Sequence, residues 1–137
     1  MSELTWPWPH FTVEEMRCKH TGLCLMVPEF MDRLESLRGA VGFPIPVTSG
    51  YRAPSHPREA AKLSLSGAHT LGRAVDLAVS GYQALAVIRV ALALGFTGVG
   101  VAQKGKARFI HLDDLPQIVD DEPPYLIIRP RPAIWSY

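Results

Sequence analysis

Two histidines and two carboxylates stand at spacings that could serve one metal ion. The segment Ser66-Gly-Ala-His69-Thr-Leu-Gly72-Arg-Ala-Val-Asp76 is followed much later by Phe109-Ile-His111-Leu-Asp113. A catalytic zinc site takes three protein ligands from imidazole nitrogen or carboxylate oxygen and leaves its fourth position to water. His69, Asp76 and His111 would supply that set. If Ala74 to Val79 is a strand, Asp76 shares a face with the small Ala74 and Ala78, while Val75 and Leu77 face the other way. On a second strand His111 and Asp113 share a face, and Ile110 and Leu112 point to the opposite, core side. Gly72 would let the chain bend between the first two ligands. The competing reading is structural: His69 in a loop, Asp76 as a turn or capping acid, His111 as a hydrogen-bonded core histidine.

The elements that must hold these groups can be read from caps and periodicity. Thr12-Val-Glu-Glu15 is a capping box, so a short helix should begin there. Pro28 suits a first helical turn, and Phe30, Leu34, Leu37 and Val41 recur at helical spacing behind it. Ile45 to Ser49 is β-prone, Ser49-Gly-Tyr-Arg52 is a turn, and Pro57 to Leu63 predicts another brief helix. Ser80 should cap a well-buried helix running through Gln83, Leu85, Ile88 and Leu92 to a stop at Gly95. Strands are expected at Ala74 to Val79, Gly98 to Val101 and Arg108 to Leu112, the last two joined as a hairpin through Lys104-Gly-Lys106. Helices first, then strands with one helix inserted, predict an α+β domain with a small, mainly antiparallel sheet.

From Asp114 onward the composition changes, with five prolines in 24 residues and an Asp120-Asp121-Glu122 run. This predicts residues 117–137 as an extended arm with one edge strand at Leu126 to Arg129. Tyr125, Ile127, Ile128 and Trp135 give it enough apolar surface to dock on its own domain, the alternative being a partner or oligomer contact. Residues 1–10 read as an N-terminal arm, whose Trp6 and Trp8, with Phe11, either pack on the core or form a carbohydrate-stacking patch.

The 137 residues allow one domain with one core, and 47% hydrophobic with 20% charged residues exclude a disordered or fibrous chain. A net charge of +1 argues against nucleic acid or an anionic membrane as partner. No secretory signal is legible at the start, and the longest apolar stretch, Ala84 to Leu94, is interrupted by Arg89. Synthesis in the cytoplasm without membrane insertion is therefore expected. Cys18 and Cys24 are too few for a disulfide scaffold, and with His20 they lack a fourth metal ligand, so they read as structural cysteines, reduced or paired.

Taken together, the His69-to-Asp76 segment, Ser49-Gly-Tyr-Arg52 and Phe109-Ile-His111-Leu-Asp113 resemble the zinc D-alanyl-D-alanine carboxypeptidase family of cell-wall metallopeptidases, which shares its fold with the hedgehog signalling domain. The likeness covers roughly residues 11 to 116. It implies zinc on His69, Asp76 and His111, with Arg52, and Ser49 and Tyr51 beside it, holding the substrate or polarising its carbonyl. It implies a peptidoglycan stem peptide or cross-link as substrate. One departure stands out. Several branches carry an acid a few residues before the second zinc histidine, whereas here Arg108 is third before His111 and no acid lies between Asp76 and Asp113. Asp113 is then the expected proton shuttle, its rival role being to orient a zinc-bound imidazole, with Asp114 and Glu59 as outside possibilities. His56 could reach the cleft rim, and His10 and His20 read as surface or packing residues.

Three functions fit: a zinc peptidase acting on cell-wall peptides, a non-catalytic zinc-stabilised binding module on the same fold, and a phage structural subunit whose Pro-rich arm docks a neighbour. Without a signal, a wall-cutting enzyme needs a route out of the cytoplasm. Phage lysis or tail-borne delivery would supply one, so a phage or prophage origin is expected.

Overall fold

The capping box forms in full. In a computed structural model describing residues 6–61, 67–120 and 127–137, the Glu15 amide donates to Thr12 Oγ1 at 3.1 Å and the Thr12 amide to Glu15 Oε1 at 3.0 Å. This starts helix α1 (Val13–Met16), which buries Met16. Helix α2 (Pro28–Val41) has its proline in the first turn and stops at Gly42, whose φ of 74° is the left-handed conformation that glycine adopts without a side-chain clash. Its buried face is Phe30, Met31, Leu34 and Leu37. Strand β1 (Val47–Ser49) and the single-turn α3 (Pro57–Ala60) follow. The rest of the helix expected to Leu63 falls partly on 62–66, outside the described residues, as does Ser66.

Strand β2 (Ala74–Leu77), helix α4 (Gly81–Ala93), and strands β3 (Gly98–Ala102) and β4 (Phe109–Asp113) occur where the sequence places them, within one or two residues at most ends. Two expectations about α4 are corrected. Ser80 occupies the cap position, but its side chain makes no capping bond; the Gly81 amide instead donates to Gln103 Oε1. The face turned inward is Ala84, Val87 and Ala91, while Leu85 and Leu92 are more than half exposed. A helix apolar on all sides gives no sign of which stripe packs.

The main sheet runs β1-β2-β4-β3-β7. Its first four strands are antiparallel, and β7 (Ala133–Ser136) adds parallel to β3. This bears out the α+β class. Val75, Leu77, Val99, Ile110 and Leu112 form one buried core with Phe30, Leu34, Leu37 and Val87 of the helices. Strand alternation sends Asp76, His111 and Asp113 to the other side.

The C-terminal arm is less separate than expected. Strand β5 (Ile118–Asp120) pairs with β6 (Ile127–Arg129) as a two-stranded ribbon, so the strand expected near residue 126 is not an edge of the main sheet. That edge is β7. Residues 121–126, which include Tyr125 and most of the acidic run, lie outside the described residues. At the other end, the N-terminal aromatics pack on the core. Trp8 is buried with its indole N–H on Asp32 Oδ1 at 2.8 Å, and Trp6 stands edge-on to it. Both cysteines are free thiols, and Cys18 Sγ accepts the Ala53 amide at 3.3 Å. Among the described residues, no helix is long and apolar enough to cross a membrane.

One buried ion cluster joins the helical layer to the end of β4. The Asp114 carboxylate receives Arg33 Nη1 at 2.7 Å and Arg73 at 2.8 and 3.0 Å. Asp114→Ala would leave two partly buried guanidinium groups without that partner. It should lower unfolding free energy by about 2–4 kcal/mol in urea denaturation.

Candidate metal centre

The turn at 67–73 is built from backbone bonds, including the Gly72 amide to the His69 carbonyl at 3.2 Å. Gly72 itself sits at φ 71°, and a Cβ there would strike the Leu25 carbonyl, so this bend requires glycine. It delivers His69 beside β2. Antiparallel register then sets Asp76 directly opposite His111. The three side chains are buried, and one ligand atom from each lies within 4.8 Å of the others. Asp76 Oδ1 is 3.4 Å from His69 Nε2 and 3.1 Å from His111 Nδ1.

The outer nitrogen of each imidazole has an acceptor. His69 Nδ1 lies 2.8 Å from the Gly50 carbonyl, and His111 Nε2 lies 2.8 Å from Asp113 Oδ2. In the neutral tautomers that these acceptors select, lone pairs on His69 Nε2 and His111 Nδ1 both face a carboxylate oxygen. Three converging electron donors fit a divalent cation between them. Burial pushes the His69 pKa down, which favours the neutral form a metal requires. Burial also opposes ionised Asp76, but hydrogen bonds from His111 and His69 outweigh it and hold the carboxyl well below its usual range.

Of the other residues expected at the site, Arg52 and Ser49 are beside it. Arg52 Nε donates to Ser49 Oγ at 3.0 Å, and its Nη atoms lie 3.4 Å from Asp76 Oδ2 and 3.5 Å from Glu59 Oε2. Ser49 therefore reaches the cavity chiefly through Arg52. Tyr51 does not line the cavity: it is buried in the hydrophobic core. Asp114 serves the ion cluster described above, and Glu59 accepts from the Thr70 hydroxyl at 2.8 Å. His56 lines a neighbouring cleft with Arg52 and Asp76, while His10 pairs with Glu35 and His20 is exposed.

Asp113 stands differently from a proton shuttle. It is fully buried, bonded to His111, gripped by Arg131 through two bonds of 2.9 Å, and reached by the Leu115 amide. Burial alone would raise its pKa, but His111 and Arg131 bring it down to about 2. Its oxygens are committed, which suits holding a ring better than accepting a proton from water.

The cavity over the three groups encloses about 420 Å³ and is walled by Arg52, Arg58, Phe109, Arg131, Trp135 and Tyr137. The last three come from the C-terminal segment, and sequence reasoning gave none of them a place in the site. Alternation in Ala133-Ile-Trp-Ser136 is the signal that was there to use, since Trp135 faces His111 while Ile134 is exposed. A larger groove of about 530 Å³ on the outer face of α4 is lined by Leu85, Ala86, Ile88 and Leu92 with Tyr82 and Arg89, and holds no histidine, cysteine or carboxylate among the described residues.

A helix-backed sheet thus presents two imidazoles and a carboxylate that could hold a metal ion in one open cavity. The chain belongs to the Peptidase M15 family, whose model matches residues 9–113. Members of that family are zinc-dependent peptidases and include D-alanyl-D-alanine carboxypeptidases. The chain is thus a metallopeptidase by family, with a peptide as substrate class. No curated protein and no solved structure matches it significantly.

Gly98 faces Asp113 across the β3–β4 ladder, and a Cβ there would fall on the Asp113 carboxylate. Gly98→Ala should cost about 1–3 kcal/mol by overpacking. It should also displace the His111 ring signals in NMR spectra while leaving those of His10 unchanged.

Proposed function

We propose that this chain is a zinc peptidase that hydrolyses an amide bond in the peptide part of peptidoglycan, as a D-Ala-D-Ala carboxypeptidase or an endopeptidase. The supporting observation is the convergence of His69 Nε2, Asp76 Oδ1 and His111 Nδ1, each imidazole held through its other nitrogen. Zinc held there would supply Lewis acidity to the scissile carbonyl and acidify water. The chain's own groups do the rest. Arg52, fixed by Ser49 and Glu59, directs its guanidinium at the cavity, where it can hold a substrate carboxylate or a developing oxyanion. Asp113 keeps the His111 ring in its tautomer. The setting we propose is cell-wall turnover or lysis, with phage release as one route to the wall.

One observation favours a second reading, a zinc-stabilised binding module. The carboxylates lining the cavity, Asp76 and Asp113, are both committed to histidine and arginine partners, and Arg108, in place of an acid, donates to the Gly105 carbonyl. Hydrolysis separates the two. Purified protein should carry about one zinc per chain and release peptide from peptidoglycan, with chelation stopping release and zinc restoring it. His69→Ala, Asp76→Ala and His111→Ala should each abolish zinc retention and turnover. Zinc without release from any wall type would establish the binding module, and zinc retained by all three variants would overturn the ligand set.

Asp113→Asn tests its role. An orienting residue should show zinc affinity weakened about 10–100-fold, with turnover largely recovered at saturating zinc. A general base would instead show unchanged affinity and a kcat reduced by about 10²-fold or more at any zinc concentration.

A further inference from the structure

Residues 131–137 lie beyond the segment matched to the family, yet they wall the cavity. Their attachment is specific. Strand β7 is laid along β3 by the Ala133 amide to the Thr97 carbonyl at 2.9 Å and the Tyr137 amide to the Val101 carbonyl at 3.1 Å. Gly100, between Trp135 and His111 in the sheet register, makes the fit possible, since a Cβ there would come within 2.7 Å of Trp135 Nε1. The indole then stands 5.2 Å from the His111 ring, centroid to centroid.

Arg131 uses this position. Its Nε and Nη2 grip the two oxygens of Asp113 at 2.9 Å each, Nη1 donates to the Pro130 carbonyl at 2.7 Å, and the guanidinium lies 5.1 Å over the Trp135 ring. The Arg131 side chain is 12% exposed and that of Asp113 fully buried. A two-pronged arginine fixes the plane of a carboxylate as well as its charge, which a single ammonium does not. The plane matters here because Asp113 Oδ2 aims at His111 Nε2.

We infer that Arg131 is a positioning residue for the proposed zinc site, acting through Asp113 to hold His111 with Nδ1 toward Asp76, and that β7 with Trp135 is an integral wall of that site. The inference rests on the zinc-peptidase reading of the same cavity. Arg131 lines the cavity, but its two side-chain bonds to the site go to Asp113, the outer partner of His111. The C-terminal strand thereby governs a site whose three ligands all lie within the matched segment.

The test uses the full chain, with zinc affinity measured by competition against a chromogenic chelator and the His111 Nε2 proton followed by NMR in metal-free protein. Arg131→Gln should weaken zinc binding about 10-fold or more and lose the protected Nε2 proton, with far-ultraviolet circular dichroism unchanged. Arg131→Lys should recover only part of the affinity. If Arg131→Gln fails to fold, the lysine variant decides alone. Wild-type affinity in either folded variant would overturn the positioning role while leaving the peptidase reading intact. Wild-type protein that takes up no zinc would sink that reading, and this inference with it.

Discussion

The antiparallel register of β2 on β4 sets Asp76 against His111, and a bend at Gly72 brings His69 to the same point. Electron donors buried together repel unless a proton or cation stands between them. Here the outer face of each ring is already occupied, by the Gly50 carbonyl and by Asp113. A proton on the inward nitrogen of a ring would leave those outer bonds in place and face Asp76 Oδ1. Burial of His111 is outweighed by Asp113 and Asp76, which raise its pKa. A divalent ion in the same space would satisfy all three donors at once. The sheet's other face carries the apolar Val75, Leu77, Val99, Ile110 and Leu112 that build the core.

Around that point the charges are layered. Arg52 approaches Asp76 from the turn after β1, and Arg131 approaches Asp113 from the bend just before the edge strand β7. The two acids are thus supported by different parts of the chain, and His111 lies between them. Glycines supply the clearance. Gly98 leaves room for the Asp113 carboxylate and Gly100 for Trp135, both on the same strand and both opposite residues of the site. Side chains at either position would collide with groups that hold His111.

The grouping of His69, Asp76 and His111 was legible in the sequence because it depends on local rules. Strand period placed Asp76, His111 and Asp113 on one face, and a glycine after His69 marked the bend. The capping box at Thr12 and the proline start of α2 were legible for the same reason. The α+β class and the β3–β4 hairpin followed from such signals. What stayed hidden depends on partners distant in the chain. Arg131 and Trp135 meet the site because β7 pairs in parallel with a strand some 35 residues earlier, and nothing local announces that pairing. Tyr51 turned inward because the chain is fixed there by its amide on the Met16 carbonyl. The bond of Asp113 to Arg131 could not be read before that segment was placed, so the sequence leaves both roles of Asp113, base and ring-orienting acid, in play.

The most direct measurement of the account's central claim is the tautomer and coordination state of the five histidines by long-range nitrogen–proton correlation NMR, with and without one equivalent of zinc. The account predicts that zinc shifts two imidazoles alone, His69 bound through Nε2 with its proton on Nδ1, and His111 bound through Nδ1 with its proton on Nε2. Zinc that left both rings unchanged, or that bound through the nitrogens facing Gly50 and Asp113, would contradict it.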